Sequence, residues 1–318
     1  MIPRGGIDLG GTKIQTVVVD GHSKVLGEAR RPTPTEGGPE DVAGQMAEAM
    51  REAAEAARLD PDALVGVGVG SPGDVDERTG NVSQARNLPG WDGGFKLGPW
   101  LRKRLGAPVR VGNDVQVATD AEFQLGAGRP YKSVIGVFWG TGVGGGIILD
   151  GKPWLGRGAA AEIGHMVVKL GGARCTCGRR GCLEAYAGRA AMEARARREH
   201  RRGRSTYLFK LMKKHGHDRL TSGIWERALD RKDRLATELI DRAVEALGAG
   251  IASAVNLLDV EAVIIGGGIG VRLGEPYAKR IAEAMRPHLF SDGNPPAVLV
   301  ASLGDLGGAI GAALLAKR

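Results

Sequence analysis

The three cysteines of the chain lie within eight residues, in the stretch "CTCGRRGC" from Cys175 to Cys182. An odd number of thiols cannot all pair as disulfides, which leaves a metal site or unrelated buried thiols as interpretations. Thiols crowded into a polar loop are typical of metal ligation, and three thiolates with one imidazole are a common ligand set for structural zinc. Cys177 lies between the other two cysteines, and His165, ten residues before Cys175, is the nearest candidate for the fourth ligand. The spacing predicts a structural zinc site with no coordination position open for catalysis.

Two glycine-rich segments occupy matching places in the two halves of the chain: "DLGGTK" from Asp8 to Lys13 and "GTGVGGG" from Gly140 to Gly146. Both lie between strand-like segments, so each predicts a hairpin turn, and one interpretation is that they are ordinary turns. Because no side chain covers their backbone N–H groups, the pair could instead hold phosphate oxygens from two sides. Thr12 and Thr141 would add hydroxyl donors, and Asp8 could hold Mg²⁺ through water.

A dinucleotide-binding fingerprint is excluded, although Gly140, Gly142 and Gly145 form a G-x-G-x-x-G string. That fingerprint needs a helix after the glycines, and the segment that follows here, "IILDG", predicts a strand. A further glycine run, "GGGIG" at 266–270, follows a buried strand and is available near an adenosine. The glycines therefore favour a nucleotide that lies between two hairpins.

Asp114 stands between the strand-like "APVRV" and the helical pattern "VQVATDAEFQLGAG". One interpretation is a helix N-cap, where aspartate is favoured. The other is a catalytic carboxylate, because phosphoryl transfer from ATP to an alcohol needs a group that accepts the hydroxyl proton.

Strand and helix patterns alternate along the whole chain, which predicts an α/β fold with mixed sheets. Each half opens with a strand hairpin around a glycine turn and continues with helices and further strands, and a domain boundary is expected near Asp114. Helical spacing is clearest from Val42 to Ala57 and from Leu235 to Val255. The chain ends in "PAVLVASLGDLGGAIGAALLAKR", which predicts a strand, a loop and a helix.

Composition describes a soluble globular protein, with 42% hydrophobic and 25% charged residues. The first residues show no signal peptide, and "SLGDLGGAIGAALLA" is too short and carries Asp305, so no membrane span is expected and we expect a cytoplasmic protein. The net charge of +8 is partly concentrated in residues 194–204, where six arginines lie. This run is either a solvated helix end and loop or a patch that binds a polyanion.

A series of short motifs resembles, in order, those of the ROK family, which groups bacterial sugar kinases with sugar-responsive repressors. They are "DLGGTK", "GSPG" at 70–73, "NLPGW" at 87–91, "GND" at 112–114, "GTGVGGG", "EIGH" at 162–165 and the cysteine cluster. The resemblance covers essentially the whole length and looks strongest toward the glucokinases of the family. It implies the two-lobed actin-like ATPase (ribonuclease H-like) fold, with the sugar in the cleft between lobes. We expect lobes of residues 1–114 and 115–303, with the zinc loop in the second and the helix 304–318 returning to the first.

The resemblance also implies roles for the motif residues. The family's C-x-C-G-x-x-G-C-x-E pattern binds zinc and is matched without departure from Cys175 to Glu184, and His165 completes the site with one nitrogen while its other nitrogen faces a sugar hydroxyl. Asp114 is the implied general base toward the 6-hydroxyl that attacks MgATP. The implied sugar-binding residues are Gly73, Asn87, Asn113, Asp114, Glu162, His165 and Glu184. The implied ATP-binding residues are Asp8, Gly10, Gly11, Thr12, Lys13, Gly140, Thr141, Gly142, Gly266, Gly267 and Gly268.

We therefore expect ATP-dependent phosphorylation of a hexose at its 6-hydroxyl, with glucose ahead of N-acetylglucosamine, N-acetylmannosamine, fructose and allose. Polyphosphate stays open as a donor because of the arginine run. A DNA-binding repressor is not expected, since the first glycine turn begins within ten residues of Met1 and leaves no room for a helix-turn-helix domain. A non-enzymatic sugar-binding protein is the other alternative, which the intact Asp114 and glycine turns disfavour. We expect no nucleic-acid or membrane partner, and by analogy with the family we expect a homodimer or tetramer.

Overall fold

The computed structural model describes residues 2–291 and 293–316. In these residues the chain forms two five-stranded sheets and a two-stranded ribbon. The strands are β1 (Arg4–Leu9), β2 (Lys13–Val19), β3 (Val25–Pro32), β4 (Val67–Ser71), β5 (Asp74–Asp76), β6 (Asn81–Ser83), β7 (Val109–Asn113), β8 (Val134–Trp139), β9 (Val143–Leu149), β10 (Lys152–Pro153), β11 (Ala262–Gly266) and β12 (Ala297–Val300). The helices are α1 (Pro39–Ala56), α2 (Leu97–Leu105), α3 (Asp114–Leu125), α4 (Glu184–Ala187), α5 (Arg189–Arg201), α6 (Leu208–Lys214), α7 (Ser222–Asp230), α8 (Arg234–Leu258), α9 (Gly267–Met285) and α10 (Gly307–Leu315).

The two large sheets have the same topology. The first has the order β3-β2-β1-β4-β7 and the second the order β10-β9-β8-β11-β12. In each, a run of antiparallel strands (β1 to β3, β8 to β10) continues into two strands that are parallel to the first strand of the hairpin. The glycine segments form the β1–β2 and β8–β9 turns, so the expectation of an α/β fold with mixed sheets and matching halves is confirmed.

Each of two helices follows a strand of one sheet but packs on the other sheet. Helix α3 follows β7 of the first sheet, but its Thr119 packs on Gly136 and Gly146 of the second. Helix α10 follows β12 of the second sheet and packs on the first, so closely that a Cβ atom at Gly6 or Gly68 would overlap its backbone. This packing favours the division of lobes that we propose from the sequence, at Asp114 with the last helix returning to the first lobe. Of that helix, residues 317 and 318 lie outside the described residues.

Each sheet has its own hydrophobic core. Helix α1 covers the first sheet with Val42, Met46 and Met50, which are fully buried, as the helical spacing predicts. In the second half, α9 packs on the sheet and α8 packs on α9, where it buries every apolar position expected from Leu235 to Val255. Among the described helices, none combines the length and the apolar content needed to cross a bilayer.

The sequence analysis did not predict α2, α4, α6, α7 or α9, and of α5 it considered only a helix end within residues 194–204. The omission of α9 has a clear cause, because this helix begins inside the glycine run at Gly267 and is broken at Gly274, whose φ is 63°. Glycine disfavours helix, but β11 and β12 are parallel neighbours. A parallel pair requires a long crossover connection, which is usually a helix, and this tertiary requirement overrides the local preference.

Candidate active site

A cleft of about 3350 Å³ opens between the two sheets. All the predicted sugar, ATP and metal residues line it, with the exceptions of Cys182 and Gly266. Cys182 is fully buried behind the cysteine loop, and Gly266, the last residue of β11, packs under the Phe138 ring instead of facing the cleft. The structure thus brings residues from both halves of the chain to one cavity.

Asp114 is the first residue of α3, at the carboxyl end of the parallel strand β7. The N-cap is Asn113, whose Oδ1 accepts from the backbone N–H groups of Val115 and Gln116, both at 3.1 Å. The capping role that the sequence left open for Asp114 is therefore performed by its neighbour. The Asp114 carboxyl, which also accepts from Val115 N at 2.9 Å, lines the cleft. The amide nitrogen of Asn113 is the part of that side chain left to donate to a ligand.

The pKa of Asp114 is raised to about 7. Burial is the largest cause, and the negative charges of Asp8 and Glu162 act in the same direction. Burial also raises the pKa of Asp8 to about 6, against the opposing effect of Lys13. A carboxyl with a pKa near 7 exchanges a proton readily at neutral pH, which is the property that a general base needs.

Two hydrogen bonds, one within the turn and one from β3's end, hold the first glycine turn in its shape. Gly10 N–H donates to the carbonyl of Lys13 at 2.9 Å, and the hydroxyl of Thr33 donates to the Gly10 carbonyl at 2.6 Å. Asn87 lies against the turn, since a Cβ atom at Gly11 would be 3.0 Å from its Nδ2. The Asn87 side chain therefore lies beside the predicted phosphate turn. Gly73, also predicted for the sugar pocket, lines the cleft with a φ of 93°.

The second glycine turn is fixed by the start of α5. The backbone N–H groups of Arg189 and Ala190 donate to the carbonyls of Gly140 and Thr141 at 3.1 and 3.0 Å. The Arg189 guanidinium donates to the Thr141 hydroxyl at 2.7 Å, which leaves the hydroxyl hydrogen free to donate elsewhere. Gly268, at the beginning of α9, faces Gly140, since its N lies 3.9 Å from where a Gly140 Cβ would be. The turn and the start of α9 thus share one wall of the cleft.

Sequence reasoning missed Arg189. A second bond of its guanidinium, 3.0 Å to the Leu220 carbonyl, fixes it beside the turn, and burial lowers its pKa. The charge of Glu193 raises the pKa of Arg189, but this carboxylate is already paired with Arg197, whose Nη2 lies 2.6 Å from Glu193 Oε1. The one hint in the sequence was its place in the chain, because Arg189 directly follows "CTCGRRGCLEAYAG", the segment that carries the cysteines and Glu184. Only the tertiary structure shows that this places it at the glycine turn.

The four predicted metal ligands converge. Their ligand atoms all lie within 4.8 Å of one another. Cys177 Sγ is 3.7 Å from Cys182 Sγ, and Cys175 Sγ is 3.8 Å from His165 Nδ1. Two sulfurs bound to one tetrahedral zinc at about 2.3 Å would be about 3.8 Å apart, so these donors fit zinc in both chemistry and spacing. Burial raises the pKa of Cys182 to about 12, so its ionisation at neutral pH requires a bound cation.

His165 presents its two nitrogens to different neighbours. Nδ1 faces the sulfurs, while Nε2 lies 3.9 Å from the Glu162 carboxylate. A metal on Nδ1 would fix the ring and leave Nε2 as an N–H donor toward the cleft. The sequence analysis expects the same division of roles, with Nε2 toward a sugar hydroxyl, and this stays a prediction.

Glu184 connects the cysteine loop with the second glycine turn. Its Oε2 accepts from Val143 N at 3.0 Å, and its Oε1 accepts from the Thr176 hydroxyl at 3.2 Å. Gly142 permits this position, because a Cβ atom there would overlap the Glu184 carboxylate. The same carboxylate therefore joins the turn to the loop through hydrogen bonds.

Comparisons with known proteins agree with this geometry. A sequence profile of the ROK family matches residues 4–318. The glucokinase of Thermotoga maritima is 34% identical, over 98% of this chain and 96% of its own. An N-acetylmannosamine kinase of Haemophilus influenzae is 30% identical over 98% of this chain and 94% of its own. A ROK family glucokinase from Streptomyces griseus, solved in complex with glucose and AMPPNP, is 33% identical and covers 99% of both chains with a TM-score of 0.84.

Proposed function

The chain belongs to the ROK family, and on this premise we propose that it is a hexokinase-type phosphotransferase that moves the terminal phosphoryl group of ATP to the 6-hydroxyl of a hexose, with glucose preferred. Its fold is the two-lobed actin-like ATPase fold of the ROK sugar kinases, as the resemblance implied. One observation carries the proposal. A carboxyl of raised pKa, Asp114, lies in one cleft with two glycine turns and the His165–cysteine cluster.

Asp114 is the proposed general base. It orients the 6-hydroxyl of the bound hexose and accepts its proton as the oxygen attacks the γ-phosphorus. The raised pKa places this proton transfer in the physiological range. Asn113, whose amide oxygen caps α3, holds the neighbouring hydroxyl through its amide nitrogen.

The donor lies between the two glycine turns. Backbone N–H groups of both turns and the Thr12 and Thr141 hydroxyls donate to its phosphate oxygens. The Arg189 guanidinium adds a fixed positive charge at the second turn, where charge develops during transfer. The remaining ATP-binding residues are those that line this side of the cleft: Asp8, Gly10, Gly11, Lys13, Gly140, Gly142, Gly267 and Gly268.

Mg²⁺ would neutralise the β- and γ-phosphates, and Asp8 is the carboxylate placed to hold it through water. Gly308 of α10 leaves space for that carboxylate, since a Cβ atom there would be 2.7 Å from Asp8 Oδ2. The start of α10 therefore faces the carboxylate without crowding it.

The hexose ring is held mainly by polar groups of the zinc loop. The carboxylates of Glu162 and Glu184 accept hydrogen bonds from its hydroxyls, and His165 Nε2 donates one. Gly73 and Asn87 close the pocket from the first lobe. Zinc, when bound to the three sulfurs and His165 Nδ1, supplies no reactive ligand and fixes the shape of this loop. The Arg86 guanidinium reaches the Thr176 carbonyl at 3.4 Å across the mouth of the cleft. Closure of the cleft keeps water away from the phosphoryl group.

A coupled assay of ADP release tests the proposal with glucose, N-acetylglucosamine, N-acetylmannosamine, fructose and allose as acceptors. We expect the highest kcat/KM for glucose with MgATP. Asp114→Asn, which keeps the size of the side chain, should abolish turnover while metal content and glucose binding are retained. The matched control is Asp74→Asn, which removes an exposed carboxylate that lines the same cleft and should keep full activity.

Two results would contradict the proposal. Absence of turnover with every hexose, together with measurable sugar binding, would favour a binding protein. Near-normal turnover by Asp114→Asn would refute the assignment of the base.

A further inference from the structure

Helices α4, α5 and α8 enclose a group of cations that the proposed reaction does not use. Arg195 and Arg198 of α5 and Arg242 of α8 line a branch of the cleft, together with Tyr186 of α4. We call these four residues the arginine groove. The Arg242 guanidinium lies 5.5 Å from the centre of the Tyr186 ring, which fixes one wall of the groove by a cation–π contact.

The other arginines in this part of the chain are mostly satisfied by acids. The ion pairs join Arg197 with Glu193, Arg202 with Glu199 and Arg204 with Glu238. The charges of Glu199 and Glu238 raise the pKa of Arg195, but these two carboxylates are already paired with Arg202 and Arg204. The interpretation of the run as a solvated helix end is right for these paired arginines, but the groove keeps excess positive charge.

Arg195 carries the clearest sign of a missing anion. Its Nε is buried and has no hydrogen-bond partner among the described residues. Burial, and then the neighbouring positive charge of Arg242, lower the pKa of Arg195. A buried donor without an acceptor destabilises the fold, and a bound anion would offset both this loss and the repulsion between the guanidinium groups.

The groove also reaches the proposed sugar site. The Tyr186 hydroxyl accepts from Ala173 N at 2.8 Å, two residues before the first cysteine ligand. Tyr186 is likewise two residues after Glu184. An anion that changes the position of Arg242 would therefore act on a side chain that contacts the zinc loop directly.

We propose that the arginine groove is a second anion site that binds a dianionic phosphate group, separate from the donor and hexose sites. Arg195, Arg198 and Arg242 line the same cleft, and the charges of the other two act on Arg195, so together they match the charge and the planar hydrogen-bonding pattern of phosphate. The group could belong to inorganic phosphate or to a sugar phosphate, and both present the same chemistry to the arginines. The proposal rests on the groove itself and stands independently of the phosphotransfer reaction.

Calorimetric titration of the full chain tests it, with the catalytic cleft first saturated by AMPPNP and glucose. Inorganic phosphate and glucose 6-phosphate are titrated separately, so that the tighter one identifies the source of the phosphate group. We expect the wild type to bind and the double variant Arg195→Gln/Arg242→Gln to bind at least about tenfold more weakly, the loss typical of charged hydrogen bonds. The double variant should keep its kcat without added phosphate.

Arg201→Gln is the matched control, because it removes one exposed positive charge from α5 outside the groove. It should bind phosphate like the wild type, and Arg195→Lys should give intermediate affinity because it keeps charge without the planar fork. Equal binding by wild type and double variant would overturn the proposal, as would an equal loss in Arg201→Gln. A wild-type chain that binds neither inorganic phosphate nor glucose 6-phosphate would also overturn it.

Discussion

The raised pKa of Asp114 leads to a specific pH dependence of catalysis. The general base that we propose works only when ionised, so activity should fall as the pH decreases through its pKa. With a pKa of about 7, about a tenth of these carboxyls are ionised at pH 6 and about nine tenths at pH 8. We therefore expect the rate to increase about tenfold between these two pH values.

The assay must report the free enzyme, in which this pKa applies. We propose initial rates with both MgATP and glucose well below their KM, measured from pH 5 to pH 9 in buffers of constant ionic strength. Below pH 6 the rate should decrease more steeply, because Asp8, whose pKa is raised to about 6, also becomes protonated there. Saturation with MgATP should move the part of the decrease that is due to Asp8 to lower pH, because Mg²⁺ held near this carboxylate favours its ionised form.

Two outcomes would refute this reasoning. A rate that stays constant from pH 8 to pH 5.5 would show that no carboxyl with a raised pKa takes part. An acidic limb that persists unchanged in the residual activity of Asp114→Asn would assign the titration to another group.

Four further predictions follow from the same geometry. Asp114→Asn should raise Tm at pH 8 by roughly 6 °C and leave it nearly unchanged at pH 4, because a carboxyl whose pKa is raised from 3.8 to about 7 on folding costs the folded protein about 4 kcal/mol as the pH rises from about 4 to about 7; a higher Tm at pH 4 would contradict this. Cys182→Ser should reduce bound zinc, measured by elemental analysis, and raise the KM for glucose about tenfold or more; unchanged metal content would exclude Cys182 as a ligand. Gly142→Ala should raise the KM for glucose by displacing Glu184, and the effect should shrink in a Glu184→Ala background, so additive effects would disprove the coupling. Arg189→Gln should reduce kcat/KM for MgATP about 10- to 100-fold while adenosine binding is retained, and equal loss of adenosine binding would indicate a structural role.

Local patterns in the sequence predicted the parts of the site that lie close together along the chain. The cysteine loop, the two glycine hairpins and the strand-to-helix junction at Asp114 are each built from neighbouring residues. Their backbone preferences and ligand chemistry are therefore visible in the sequence. Helix α9 was not visible in this way, because its start is rich in glycine and only the crossover between parallel strands requires it.

The amino-acid sequence shows which chemical groups this protein has: three thiols with an imidazole, two open turns, and an aspartate at a strand end. Which of these groups meet depends on the folded structure. It assigned the helix cap to Asn113, placed Arg189 at the second turn and set Glu184 between that turn and the cysteine loop. It also raised the pKa of Asp114, because burial and the charge of Asp8, far away along the chain, act on it in the folded state alone. Contacts and electric fields of this kind depend on distance in space, which one-dimensional spacing does not contain.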